Sequence, residues 1–294
     1  MRTAGFDSSK REFLMLEKVD PVAHIANRLP AGGRCFFMPN GGNLGDCLIA
    51  SATLQAFQTA RIPWDFIRGN RQSVRREDLL IFGGGGSLVP LYEGGVQCLE
   101  SLQRLGAPVV VLPQTVRGNE RFWSSARGIT VFCRDSLSLE FLKGYPAVAS
   151  FLADDMALGL DLRQDPFSTV AAIRAATSSA ARDSRALLAY RRDAEARAPA
   201  GRLSLDISAV AHPAMLSIGS IHAHTCAFLA ALSGYSEIQT DRLHVAIGGG
   251  LLGIPVLLSE DLYGKNKAVF ETSLKQRFPH LLFQPASPSA RSKQ

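Results

Sequence analysis

Cys35-Phe36-Phe37-Met38-Pro39-Asn40-Gly41-Gly42-Asn43-Leu44-Gly45-Asp46 passes from an apolar run through a glycine-rich loop into a new periodic segment, with apolar residues at Leu48, Ile49, Ala52, Leu54, Ala56 and Phe57. A short apolar run closed by turn residues reads as a buried strand, and the 3.6-residue period that follows reads as a helix. The helix is expected from Asp46 to about Arg61, with Asp46 as its N-cap. The same alternation recurs downstream. Asp78–Phe82 reads as a strand ending in Gly83-Gly84-Gly85-Gly86, and Gly95–Gly106 as a helix. Pro108–Leu112 reads as a strand ending in Pro113-Gln114-Thr115. Ile129–Cys133 is a strand ending in Arg134-Asp135, followed by a helix over Ser136–Lys143. Strands alternating with helices predict an α/β fold on a parallel sheet with right-handed crossovers.

The rhythm breaks after Asp154-Asp155-Met156-Ala157-Leu158 and resumes later. Ala186–Tyr190 reads as a strand ending in Arg191-Arg192-Asp193, and a helix is expected near Ile221–Ala231. A strand over Ser236–Thr240, a helix from Asp241, a strand over Pro255–Leu258 and a helix over Lys265–Arg277 follow. The organisation expected is a leader over 1–33, holding one amphipathic helix around Glu12–Leu29, and a Rossmann-like unit over 34–160. An Ala-, Ser- and Thr-rich linker over 161–185, partly helical, leads to a second Rossmann-like unit over 186–286 and a polar, disordered tail over 287–294. Two Rossmann-like domains facing across a cleft is the predicted architecture.

Composition narrows the function. The 294 residues carry a formal net charge of +6, and 46% are apolar, which fits a globular enzyme. Arginines cluster at Arg71–Arg76 and Arg182–Arg197 without interleaved aromatics, so no nucleic-acid groove is expected. A basic face suits an anionic substrate or anionic lipid. Five separated cysteines with no CxxC pair exclude a zinc ribbon and suit reduced thiols. Met1–Arg11 lacks the apolar core of a signal peptide, and no run approaches the ~20 apolar residues that span a bilayer. A cytoplasmic protein is expected, with at most peripheral contact at the inner face of the cell membrane.

Chemistry concentrates at strand ends, where open α/β folds bind ligands. Thr240-Asp241-Arg242-Leu243-His244 puts an acid, a guanidinium and an imidazole at one strand-to-helix turn. Arg242 is a fixed fork for carboxylate or phosphate, and His244 exchanges a proton near neutral pH. Asp241 either orients that imidazole or caps the helix. The loop Gly41–Asp46 has neither GxGxxG nor P-loop spacing, and an Asp at its helix start repels phosphate. Sugar hydroxyls held by Asn43 and Asp46 suit it better. Gly83–Gly86 permits close approach of substrate or of a helix. Arg134-Asp135 reads as an ion pair capping the next helix. One of Arg191 and Arg192 is expected to face a cleft and the other away. His212, His222 and His224 lack carboxylate company and read as structural or surface residues, and no metal site is expected.

Taken in order, Gly42-Asn43-Leu44-Gly45-Asp46, Gly83–Gly86, Leu112-Pro113-Gln114-Thr115, Cys133-Arg134-Asp135-Ser136, Asp154-Asp155-Met156-Ala157, Arg191-Arg192-Asp193-Ala194-Glu195, Thr240-Asp241-Arg242-Leu243-His244 and Tyr263-Gly264-Lys265-Asn266-Lys267 resemble the polysaccharide pyruvyl transferase family. The resemblance implies a fold similar to GT-B glycosyltransferases. It also implies transfer of a carboxyethylidene group from phosphoenolpyruvate onto two hydroxyls of one sugar, forming a cyclic ketal in an exopolysaccharide repeat unit. The implied acceptor is lipid-linked oligosaccharide or polysaccharide, and phosphoenolpyruvate is a donor substrate rather than a cofactor. In that family the residues matching Arg242, His244 and Arg191 are tied to activity. On this reading His244 is the proton donor, with Arg242 and Asp241 beside it. Arg242, Arg191, Arg192, Lys265 and Asn266 bind the donor, while Asn43, Asp46, Gly84, Gly85, Gln114 and Arg134 face the acceptor. Val245 stands where the family commonly has glycine, and the segment between Glu195 and Thr240 is short and Ala-rich. The alternative is a nucleotide-sugar-dependent glycosyltransferase of the same shape, with Glu260 reaching the ribose. A non-catalytic assembly protein is a third reading, against which the pairing of Arg242 with His244 argues.

Overall fold

The computed structural model describes residues 17–67, 73–180, 185–193, 195–196, 204–209, 215 and 217–286. The first part of the leader, the tail over 287–294, Arg71, Arg182, Arg197 and His212 lie outside the described residues. The first described helix is α1 (Pro21–Arg28), whose start is set by the Asp20 carboxylate accepting the Val22 amide and by Pro at its first position. Of the helix expected around Glu12–Leu29, the described residues show Pro21–Arg28, with non-helical backbone over Glu17–Asp20.

A first sheet of seven strands follows: β1 (Cys35–Met38), β2 (Trp64–Phe66), β3 (Leu79–Phe82), β4 (Gly85–Leu88), β5 (Val109–Val116), β6 (Ile129–Cys133) and β7 (Ala149–Leu152). They run parallel in the order β2-β1-β3-β5-β6-β7, with β4 on the far part of β5. The helices α2 (Leu44–Thr59), α3 (Glu93–Gln103), α4 (Glu120–Ser125) and α5 (Ser136–Leu142) connect them. Within the expected linker lies α6 (Ser168–Ala180). A second parallel sheet, ordered β11-β10-β9-β8, is built from β8 (Ala186–Ala189), β9 (Glu237–Thr240), β10 (Val256–Ser259) and β11 (Leu281–Gln284). Its helices are α7 (Ile218–Ser233), α8 (Leu243–Leu251) and α9 (Lys265–Val269), the last continuing through a π-helical turn (Phe270–Leu274) into α10 (Lys275–Arg277). The mixed α/β fold on parallel sheets is the one the sequence predicts.

The differences from expectation have local causes. Helix α2 starts at Leu44 because Asn43, not Asp46, is its N-cap. Asn43 Oδ1 accepts the Gly45 amide, and Asp46, one turn in, accepts the Asn43 amide at 2.8 Å to close a capping box. Strands β2, β7 and β11 escape sequence patterning because they are half-exposed sheet edges of three or four residues, and in β2 and β7 a polar residue also breaks the apolar run. The glycine run enters β4, and β5 continues through Pro113 to Val116 between β4 and β6.

Two-residue alternation divides the first sheet between two cores. Cys35, Phe37, Leu79, Ile81, Val110 and Leu112 face one side, whereas Phe36, Leu80, Phe82, Val109 and Val111 face the other. The first side belongs to a continuous core that also takes in Leu48, Ile49 and Phe57 of α2, Phe228, Leu229 and Leu232 of α7, Ile247 of α8, and Ile238 and Leu258 of the second sheet. Helix α2 thus lies against elements of both sheets. Its Ser51 hydroxyl meets Thr225 Oγ1 at 2.9 Å and His222 Nδ1 at 3.0 Å.

A shared core predicts shared unfolding. Leu229→Ala removes a fully buried side chain of α7 and is expected to cost about 2–5 kcal/mol. In urea, fluorescence of Trp64 and Trp123, both in the first half, should shift to a lower midpoint together with far-UV circular dichroism. An unchanged tryptophan midpoint would show that the halves unfold separately.

Candidate active site

The C-terminal ends of the parallel strands converge on one cavity of about 340 Å³. From the first sheet come Asn40, Gly41, Gly42, Asn43 and Asp46 after β1, Gly86 and Ser87 of β4, Tyr92 before α3, and Arg134 directly after β6. The second sheet supplies Arg191, Asp193 and Glu195 after β8, Arg242 and His244 after β9, and Lys265 at the start of α9. Four permanent cations and one imidazole thus line a single depression.

Each cation is held by carboxylate. The fully buried Arg134 donates to Asp155 Oδ2 at 2.8 Å and from Nε to Thr115 Oγ1 at 2.9 Å. His244 Nε2 lies 3.3 Å from the same Asp155 oxygen and 3.4 Å from Arg134 Nη1. Burial pushes the Asp155 carboxyl up, but His244 and Arg134 outweigh it and hold the group well below the usual carboxylate range. Arg191 pairs with Asp193 at 2.8 Å and with Glu195. Arg242 pairs with Asp193 at 2.8 Å and Asp206 at 2.5 Å, while its buried Nε has no partner among the described residues. Lys265 Nζ donates to Glu195 Oε2 at 2.6 Å, and Tyr92 donates its hydroxyl to Glu195 Oε1 at 2.8 Å across the two sheets. Despite burial, Lys265, Arg191 and the tyrosine bring Glu195 down to about 2, and Arg191 and Arg242 bring Asp193 to about 2.

The imidazole sits directly on the start of α2. A Cβ at position 45 would fall 2.7 Å from His244 Cβ and 2.9 Å from its Nδ1, so glycine is required there. The apolar residue after His244, Val245, is fully buried in the shared core.

Comparison with known proteins bears on this geometry. A profile described as polysaccharide pyruvyl transferase matches residues 43–259, the span from the α2 cap to the end of β10. The chain belongs to the polysaccharide pyruvyl transferase family. No curated protein matches it. The crystal structure of a functionally uncharacterized protein from Klebsiella pneumoniae subsp. pneumoniae NTUH-K2044 is similar, with a TM-score of 0.75 and 29% identity. That likeness covers 90% of this chain and 97% of the other.

The pyruvyl transferase motifs separate into residues that reach the cavity and residues that build it. His244, Arg242, Arg191, Lys265, Asn43, Asp46 and Arg134 line the cavity. Arg192 does not, because its guanidinium turns away to the Ser204 carbonyl. Asp241 neither caps α8 nor touches His244; its Oδ1 accepts the Arg191 amide at 2.8 Å, tying the ends of β8 and β9 together. Asn266 is likewise structural, donating to the Asp241 and Ser259 carbonyls. Gln114 donates to the Gly83 carbonyl in full burial, and Gly84 and Gly85 back onto Pro113, Ile49 and Asn40 rather than lining the space. Asp135 does cap α5, yet its ion pair is with Arg117 at 3.0 Å rather than with Arg134. Glu260 accepts the amides of Asp261 and Lys267 and does not reach the cavity. His222 bonds Ser51, His224 meets its own helix at the Ser220 carbonyl, and no metal-type cluster occurs among the described residues.

Sequence reasoning did not assign Tyr92, Asp155, Asp193 or Asp206. Asp155 and Asp193 stand in motifs with no role read from them, and pairing Asp155 with Arg134, or Asp193 and Asp206 with Arg242, more than twenty residues away, is a tertiary fact.

The depressed carboxyls predict acid sensitivity. A folded-state value of about 2 for Glu195 lies below its unfolded value, so its stabilisation is complete above about pH 5 and is lost as pH falls towards 2. Glu195→Gln should therefore lose stability less steeply than wild type between those limits in urea titrations. Parallel slopes would remove Glu195 from the acid response.

Proposed function

We propose that this chain transfers a pyruvyl group from phosphoenolpyruvate onto two hydroxyls of one sugar, closing a cyclic ketal on a polysaccharide or lipid-linked oligosaccharide. The observation that carries the reading is the convergence of Arg134, Arg191, Arg242 and Lys265 around His244 in one cavity of a polysaccharide pyruvyl transferase family member. Phosphoenolpyruvate has a carboxylate and a phosphate, and both favour fixed cationic forks. Arg242, Arg191 and Lys265, all from the second sheet, bind the donor. Asn43 and Asp46, at the cap of α2, meet the sugar, with Arg134 beside them. The two halves then act as facing domains in the manner of GT-B glycosyltransferases.

Chemistry starts with proton delivery from His244 to the methylene carbon, which makes the adjacent carbon an oxocarbenium-like electrophile. One hydroxyl attacks it, phosphate departs, and the second hydroxyl closes the ring. Asp155 and Arg134 fix the imidazole edge for this transfer, and general acid catalysis of this kind is worth about 10²–10⁴-fold. No helix among the described residues is long and apolar enough to cross a membrane. The proposal also has the enzyme meeting a lipid-linked acceptor from the cytoplasmic side.

Thermal unfolding tests the donor without knowledge of the acceptor. Phosphoenolpyruvate at about 100 times its dissociation constant should stabilise wild type by roughly 2.7 kcal/mol. Arg242→Ala, measured against its own ligand-free melt, should lose that shift. Stabilisation by a nucleotide sugar instead would identify a glycosyltransferase and sink the ketal mechanism.

A further inference from the structure

We propose that Asp46 is the catalytic base that takes the proton of the attacking acceptor hydroxyl, an assignment that rests on the pyruvyl-transfer reading. Ketal formation needs more than an acid, since two sugar hydroxyls must each lose a proton. The cavity holds several carboxylates, but most are committed. Asp155 is locked to Arg134 and His244, Glu195 to Lys265, Arg191 and Tyr92, and Asp193 to two arginines. Asp46 differs. It lines the cavity, its Oδ2 accepts only the Asn43 amide at 2.8 Å, and its Oδ1 makes no hydrogen bond among the described residues.

The surroundings keep that free oxygen reachable. A Cβ on residue 42 would lie 2.2 Å from Oδ2, and one on residue 85 would lie 3.4 Å from Oδ1. Glycine at position 42 keeps that side of the half-buried carboxylate open, while position 85 comes no nearer to Oδ1 than ordinary contact. The charged groups felt by Asp46 are His244, Arg134 and Asp155. Burial raises its carboxyl above the ordinary value, against the pull of His244, the Asn43 amide and Arg134 and with a push from Asp155. A carboxylate of raised proton affinity is a better base for a hydroxyl, and an acid and a base beside one another suit a reaction needing both.

Protons then balance over one turnover. His244 gives its proton to the methylene carbon, and Asp46 takes the proton of the first hydroxyl as that oxygen bonds to the adjacent carbon. Asp46 returns its proton to the bridging oxygen as the carbon–oxygen bond to phosphate breaks, releasing hydrogen phosphate. The second hydroxyl attacks the resulting oxocarbenium carbon, and its proton goes to the now neutral His244. Both groups end as they began.

The test uses full-length protein with phosphoenolpyruvate, and water standing in for the acceptor hydroxyl, read as released phosphate. Asp46→Ala should lower the rate by about 10²–10⁴-fold while keeping the thermal shift with phosphoenolpyruvate. Added formate, a diffusible carboxylate, should restore about tenfold or more of it, which a lost helix cap would not show. Asp46→Asn, which keeps an oxygen for the Asn43 amide, should show the same fall and serves if the alanine variant does not fold. A rate within about fivefold of wild type, or loss of the thermal shift together with the rate, would overturn the assignment. So would a fall that formate leaves untouched. A wild type that neither binds phosphoenolpyruvate nor releases phosphate from it overturns the donor reading, and this assignment with it.

Discussion

A guanidinium or ammonium withdrawn from water needs a counter-charge, and this cavity withdraws four of them. Arg134, Arg191, Arg242 and Lys265 are nearly buried, and each is met by a carboxylate within 2.8 Å. Such pairs are weak sources of stability, because desolvating both partners offsets most of their attraction. Their effect is geometric. A cation braced by two carboxylates cannot follow its ligand, so its field is already aimed when an anion arrives. Glu195 has the largest share of this bracing: it takes Lys265, Arg191 and Tyr92, and so joins the end of β8, the start of α9 and the first sheet in one polar knot.

The positions of those braces follow from the parallel sheets. In a parallel sheet all strands end on the same edge, and the side chains just past each end share one rim. Here two rims face the same space because α2 packs its apolar face into a core common to both sheets. The N-terminus of the same helix forms the cavity floor, with Gly45 beneath His244. Helix α2 therefore links stability to chemistry. Its hydrophobic positions fix how the halves meet, and its capping box fixes where Asn43 and Asp46 present oxygen to the cavity.

Much of this was legible in the sequence, and the misses share causes. Strands with three or more consecutive apolar residues, such as β1, β3 and β6, were evident from composition alone. The edge strands β2 and β7 were not, since a polar residue breaks each run and half exposure dilutes the apolar signal; β11 has such a run in Leu281-Leu282-Phe283 and is missed all the same. At the site, His244, Arg242 and Arg191 stood out because each follows a strand directly. Asp241, in the turn of Arg242, and Asn266, beside Lys265, bond backbone groups instead, and no local pattern distinguishes a side chain that lines a cavity from one that ties two strand ends together. Asp155 illustrates the opposite failure. It belongs to a legible motif, but its role depends on Arg134 and His244, which are 21 and 89 residues away.

The counter-charges are not equivalent, and the difference bears on what the cavity can admit. The side chains of Asp155 and Glu195 are 0% and 3% exposed, and Asp206 is 10% exposed, whereas Asp193 is 36% exposed. The first three are enclosed and hold the cations to the protein. Asp193 lies at the solvent side, accepting from Arg191 on both oxygens and from Arg242 on Oδ2. A carboxylate that is partly hydrated is the cheapest of the set to exchange for another anion, because it regains water when it lets go. Arg242 also keeps a buried Nε with no partner among the described residues, so its hydrogen-bonding capacity is incomplete with Asp193 and Asp206 alone. On the pyruvyl-transfer reading, the two arginines thus combine rigid internal counter-charges with one exchangeable position, open to a planar or tetrahedral oxyanion that spans both forks.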